Sequence, residues 1–150
     1  AYQYSNYKKK LEFWVYGDGP EKTFLSKFEN NNVKLKGFSE NVGQILSSKV
    51  DIVVLPSIIK EACPMIIIEA FSLAIPVITT NIGGQAELVI DNFSGLQVNI
   101  KDSKEIAKKI DYLLENQDVY ETFSRNALDY SSKFALSRYQ EKINKIIGEL

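Results

Sequence analysis

The chain has 150 residues, 45% of them hydrophobic and 25% charged, a composition that fits one soluble globular domain and excludes a disordered or fibrous chain. Its 18 Lys and Arg nearly balance 19 Asp and Glu, for a net charge of -1, so no overall charge draws it to nucleic acid. It has no histidine, which rules out a Ser-His-Asp or Cys-His nucleophile, an imidazole base and a His-bound metal built from this chain alone.

Ala1–Lys10 has neither an initiator Met nor an apolar signal core and reads as the beginning of a piece of something longer. Leu11–Tyr16 then reads as a strand ending at Gly17-Asp18-Gly19-Pro20, followed by a helix over Glu21–Glu29. Val33–Lys36 is a shorter strand stopped by Gly37, with a helix over Ser39–Ser48 after it. Ile52–Leu55 is a buried strand closed by Pro56-Ser57. Met65–Leu73 has strand-like isoleucines, but Pro64 suits a first helical position and Glu69–Ala74 continues with helix formers, so it reads as a buried helix. Strand Val77–Thr80, helix Gly84–Val89 and strand Leu96–Val98 complete the series. Strands of continuous β-branched character alternating with helices predict an α/β, doubly wound parallel sheet covered on both faces.

After Ile100 only helical patterns remain. Asp102 and Glu105 have capping-box spacing, and Ile106, Ile110, Leu113 and Leu114 share one helical face. Val119, Phe123, Ala127 and Tyr130 form a second stripe, and Tyr139, Ile143, Ile146, Ile147 and Leu150 a third. Such stripes predict helices docked on the domain, with a partner-binding helix as the alternative for the last. No run approaches a membrane span in length. The single cysteine, Cys63, forms no internal disulfide, which suits a reducing compartment.

Ligands of open parallel sheets bind beyond the carboxyl ends of the strands. Among those loops the richest runs from Leu55 to Ala70, where a loop acid, Glu61, precedes a helix start, and a second acid, Glu69, follows eight positions later. Unpaired N–H groups at a helix start suit a phosphate or diphosphate. Glu69 lies about 7.5 Å along the helix axis from Pro64, at ~1.5 Å per residue. It follows three isoleucines, where a carboxylate needs donors such as ribose hydroxyls. The plainer reading makes Glu61 a solvated loop residue and pairs Glu69 with a lysine. Gly83-Gly84-Gln85-Ala86-Glu87 is a second helix start, or simply a glycine turn. Cys63 lacks an activating histidine and reads as a small packed side chain. No dinucleotide or P-loop glycine motif is present.

Taken in order, Pro56-Ser57, Glu61, Glu69-Ala70, Ile75–Thr80, Gly83-Gly84, Glu87 and Ser94–Val98 resemble the donor-binding half of family-4 retaining glycosyltransferases of the GT-B fold. Gly17–Pro20 and Val33–Gly37 fit the same template, and the resemblance covers about residues 8–147. It implies one nucleotide-sugar-binding domain over residues 1–150, with a three-layer, Rossmann-like core over about 8–100 and C-terminal helices over about 102–150 packed on it.

The implied ligand is a UDP- or GDP-sugar donor, held without a metal or other cofactor and transferred with retention of configuration. The resemblance places Glu61 at the transferred sugar as the catalytic acid and Glu69 at the ribose. The backbone of Cys63, Pro64, Met65 and Ile66 lies near sugar and phosphates. Gly17, Gly37 and Phe38 belong to the donor site, with the base near Phe38, and Glu87 belongs to the matched motif. The acceptor and any histidine come from an N-terminal half. A cytoplasmic setting follows, peripheral to a membrane through that other half. Rival readings are a nucleotide-sugar epimerase of the same fold and a non-catalytic donor-binding module serving a separate chain.

Several residues depart from the pattern. Ala62-Cys63 replaces Gly-Phe, and Ala74 and Asn92 stand where glycine is common, at positions expected in the left-handed region. The first strand and helix, with the Arg and Lys that neutralise the diphosphate, belong before residue 1. Here the first arginine is Arg125, and Lys8–Lys10 fall at the wrong end of a strand. The missing strand is central in a 3-2-1-4-5-6 sheet. Leu11–Tyr16 is therefore expected either to pair directly with Ile52–Leu55 or to leave a place for a partner strand or a second copy. The isolated chain is expected to be inactive.

Overall fold

The computed structural model describes residues 1–148. Leu150, expected on the last apolar stripe, lies outside the described residues. Five short strands among the described residues form two parallel sheets. In the first, β1 (Phe13–Tyr16) pairs with β2 (Val33–Gly37); in the second, β4 (Val77–Thr80) lies between β3 (Val53–Leu55) and β5 (Gly95–Val98). The connections carry α1 (Lys22–Leu25), α2 (Val42–Lys49), α3 (Met65–Ser72) and α4 (Gly83–Leu88), and the chain closes with α5 (Ser103–Glu115), α6 (Gln117–Ser131) and α7 (Leu136–Gly148). The helix expected over 21–29 is instead the single turn of α1 followed by a 3-10 turn over Ser26–Phe28.

Alternation along a strand sends successive side chains to opposite faces. In β4 this sends Val77 into a cluster with Ile67, Ala70 and Phe71 of α3, and Ile78 into another with Ile106, Ile110 and Leu113 of α5. The three-strand sheet is thus sandwiched between α3 and α5. α6 bridges the two sides, giving Ala127 to the first cluster and Phe123 to the second. Phe71, fully buried, meets Tyr130 edge to face at a ring-centroid distance of 6.3 Å.

Direct pairing of β1 with β3 does not occur among the described residues. Their link is by side chains: Phe13, Ile52 and Val54 pack against the same cluster as Ile78 and Leu96. Backbone pairing requires strands about 4.8 Å apart, whereas apolar side chains join strands without that constraint. Residues 1–10 are tied to α5 instead. The Ser5 hydroxyl and the Asn6 N–H donate to the two oxygens of buried Asp111 at 2.5 and 2.8 Å. Lys8–Lys10 lie before β1, at the end of the strand away from the loops that follow its carboxyl end.

Local signals in the sequence resolve with a few corrections. Met65–Ser72 is helical, but Pro64 is its N-cap, with φ -70 and ψ 108, rather than its first helical residue. Asp102 caps α5 by accepting from the N–H groups of Lys104 and Glu105 at 3.1 and 2.8 Å. Glu105, however, accepts from the Asn99 N–H at 2.7 Å instead of closing the box on Asp102. Ala74 and Asn92 do stand at positive φ, 58 and 56 degrees, and Lys101 joins them at 61. Leu114 is exposed, unlike its neighbours on the α5 stripe, because it lies outside the buried arc of Ile106, Ala107, Ile110, Asp111 and Leu113. The stripe on α7 is not docked either: Leu136, Tyr139, Ile143, Ile146 and Ile147 all face solvent among the described residues.

Candidate functional site

The loops after β3 and β4 meet at the carboxyl edge of the three-strand sheet, and a set of hydrogen bonds joins them. Thr79 and Thr80 are buried, and their hydroxyls donate to the carbonyls of Leu55 and Ser57 at 3.0 and 2.6 Å. The Gly84 N–H donates to the Glu61 carbonyl at 2.6 Å. The Gln85 side chain, wholly buried, accepts from the Glu61 N–H and donates to the Ile59 carbonyl, both at 3.2 Å. Gln97 of β5 in turn donates to the Ala86 and Val89 carbonyls at 2.9 and 2.7 Å, which anchors α4 to the sheet. Glu61 therefore sits on a loop fastened on both sides, although the residues around it (Ile58, Ile59 and Lys60) are exposed.

The half-buried carboxylate of Glu61 accepts from the Ser57 hydroxyl. That contact holds the acid over the strand end without neutralising it, since a hydroxyl donates a hydrogen bond but carries no charge. Glu69 occupies the outer side of α3, one turn beyond Met65, while Ile67, Ala70 and Phe71 hold the inner side. It too is half-buried, and its carboxylate has no hydrogen bond or ion pair among the described residues. The lysine partner of the plainer reading does not exist there.

The remaining predicted residues distribute unevenly. Pro64 is buried, Ile66 half-buried and Met65 58% exposed, so the opening of α3 presents its first turn at the surface beside the Glu61 loop. Cys63 is exposed rather than packed; buried Pro64 seats the helix start in its place. Glu87 is exposed on α4.

At the other sheet, the Gly17 N–H donates to the Gly37 carbonyl at 2.9 Å. Both glycines have positive φ, 127 and 68 degrees, which lets the two strand ends turn outward where a side chain would be strained. They line a cavity of about 250 Å³ together with Tyr16, Asp18, Pro20 and Leu25. That cavity touches neither Glu61 nor Glu69. Phe38, immediately beyond Gly37, is 74% exposed. The structure thus gathers Glu61, the α3 start and Glu69 on one strand-to-helix connection, and Gly17 with Gly37 at a separate strand edge.

Gln85 and the two threonines fell within segments marked in the sequence, but none was given a role of its own. Their hydrogen-bond partners lie 23 to 26 positions away, beyond the reach of local spacing. The only readable sign was the pair of hydroxyl residues ending β4. No group of three or more Cys, Asp or Glu residues able to hold a metal ion occurs among the described residues. Among the described residues no helix is long and apolar enough to cross a membrane.

A family model described as glycosyl transferases group 1 matches residues 1–130. An uncharacterised glycosyltransferase of Methanocaldococcus jannaschii is 28% identical over 146 residues, covering 93% of this chain and 41% of its own. HepE of Anabaena, solved in complex with UDP, superposes with a TM-score of 0.85 at 24% identity, over 94% of this chain and 42% of that one. The C-terminal domain of a glycosyl transferase group 1 family protein, LpcC of Francisella tularensis, superposes with a TM-score of 0.70 at 20% identity. That match takes in 85% of this chain and 90% of that domain. The chain spans about 41% of the length of the archaeal relative, and its α/β fold is that of the C-terminal half of GT-B glycosyltransferases.

Proposed function

Because the chain belongs to the family of glycosyl transferases group 1, we propose that it is the donor-binding half of an enzyme that moves a sugar from a nucleotide-diphosphate sugar to an acceptor with retention of configuration. The observation that carries this reading is Glu69, a half-buried carboxylate without a partner among the described residues, on the helix that opens beside the Glu61 loop. A carboxylate partly withdrawn from water is costly unless donors reach it. Two adjacent hydroxyls of a ribose supply such donors, and a bidentate pair to a charged acceptor is among the stronger hydrogen-bonding arrangements.

From that anchor the rest of the donor follows the connection backward. The diphosphate lies against the start of α3, where the first-turn N–H groups of Met65 and Ile66 lack helical acceptors and the helix dipole favours negative charge. The backbone from Cys63 to Ile66 borders sugar and phosphates. Glu61 then reaches the transferred sugar, where its carboxylate both accepts hydroxyl hydrogen bonds and stabilises positive charge developing at the anomeric carbon. Phe38 offers an exposed aromatic face for the base, with Gly17 and Gly37 shaping the adjoining strand ends. Glu87 is assigned to the same site. The reading assigns the reaction no metal, and the acceptor to a second, N-terminal domain.

Substituting Glu69→Ala is expected to weaken donor binding in the full-length protein by about 1.5–3 kcal/mol, the range for hydrogen bonds to a charged group. Isothermal calorimetry with the nucleotide sugar checks this. An unchanged affinity would remove Glu69 from the donor site.

A further inference from the structure

We propose that Gln85 is a positioning residue for Glu61, an inference that rests on the donor-site reading above. Gln85 is fully buried, so it cannot itself touch a donor. Its amide nevertheless uses both ends on a single loop, the oxygen accepting from the Glu61 N–H and the nitrogen donating to the Ile59 carbonyl. A primary amide is suited to this task because it presents an acceptor and a donor side by side on one flat group. The Gly84 N–H holds the Glu61 carbonyl from the same helix start.

The three bonds together fix the backbone on both sides of Glu61, and hence where its carboxylate stands over the strand end. Without the amide, the Glu61 N–H and the Ile59 carbonyl lose their partner on α4, and the loop has reason to turn them toward water. Three exposed residues in succession, Ile58–Lys60, give it little apolar packing to resist that motion. Placement matters here because a displacement of about 1 Å at a reacting group costs on the order of a hundredfold in rate.

The test uses the full-length protein and three probes, UDP-glucose, UDP-N-acetylglucosamine and GDP-mannose, each beside its bare nucleotide. Binding is followed by calorimetry and turnover by release of the bare nucleotide. Gln85→Met keeps the buried volume and removes both hydrogen bonds. Gln85→Asn keeps the amide but withdraws it by one carbon, and serves if the first variant does not fold. Either is expected to lower turnover about tenfold to a hundredfold, with bare-nucleotide affinity changed less than about twofold.

The decisive arm repeats the substitution in a Glu61→Ala background, where a residue acting through Glu61 adds little further loss. A loss of the same size in both backgrounds, or equal losses of nucleotide binding and turnover, would overturn the positioning role. Wild-type protein that binds none of the probes would instead overturn the donor-site reading beneath it. If neither variant folds, amide exchange of the wild type decides, because Glu61 N–H exchange as fast as that of the exposed loop would show that the clasp does not hold.

Discussion

Replacing Gly84 by alanine is expected to cost about 2–4 kcal/mol of stability, combining overpacking against backbone with the loss of one hydrogen bond. A Cβ at this position would stand 1.9 Å from the Ala62 carbonyl oxygen and 2.8 Å from that of Glu61. Neither oxygen can rotate aside as a side chain would, so α4 or the Glu61 loop must move. Gly84 has no positive φ to explain its identity; space is what the position demands. Gly43 of α2 provides the control, since a Cβ there meets nothing within 4 Å, and Gly43→Ala is expected to be neutral or mildly stabilising. Denaturant melts of the two variants compare them directly. A Gly84→Ala midpoint equal to that of Gly43→Ala would contradict the packing described here.

The second large effect concerns chemistry. Glu61→Ala should lower turnover by about 10²–10³-fold, the scale for removing one group that stabilises developing charge, while leaving affinity for the bare nucleotide nearly unchanged. The asymmetry follows from where the acid stands. It shares the strand end with Ser57, before the helix start assigned to the phosphates and a further turn from Glu69. Steady-state kinetics set beside nucleotide titration separates the two quantities. Parallel losses in both would move Glu61 from the sugar to the nucleotide, or out of the site.

Much of this arrangement was readable in the residues, and the part that was not shares a cause. Met65–Ser72 could be assigned to a helix against its β-branched content because Pro64 and the run from Glu69 are local signals, and local signals are what a sequence displays. Ala74 and Asn92 could be placed at positive φ only through the family resemblance, in which glycine is common at both positions. The hydrogen bonds from Thr79, Thr80 and Gln85 to the preceding loop were hidden, since they depend on how two βα units meet across the sheet edge.

The split of the strands into two sheets was open for a similar reason. Parallel pairing is settled between segments far apart in sequence, and Phe13, Ile52 and Val54 serve as core residues whether or not their strands share hydrogen bonds. The stripe on α7 shows the opposite limit. Periodicity correctly marks an amphipathic helix, but it does not say that anything within the described residues covers the apolar side, and nothing does.

Zero histidines at first narrows the chemistry open to this chain. The site shows what remains when imidazole is absent: two carboxylates in different surroundings, one held by a hydroxyl and one without a partner among the described residues, on either side of a helix start. Such a set suits a polar, anionic, polyhydroxylated ligand, and the proposed function assigns proton handling to another domain.

The most direct test is a calorimetric titration of the full-length protein with UDP-glucose, UDP-N-acetylglucosamine and GDP-mannose, repeated on the Glu69→Ala variant. Saturable binding of at least one nucleotide sugar, weakened about tenfold or more by Glu69→Ala, is the predicted result; no binding of any of the three by folded protein, or binding that Glu69→Ala leaves unchanged, would contradict it.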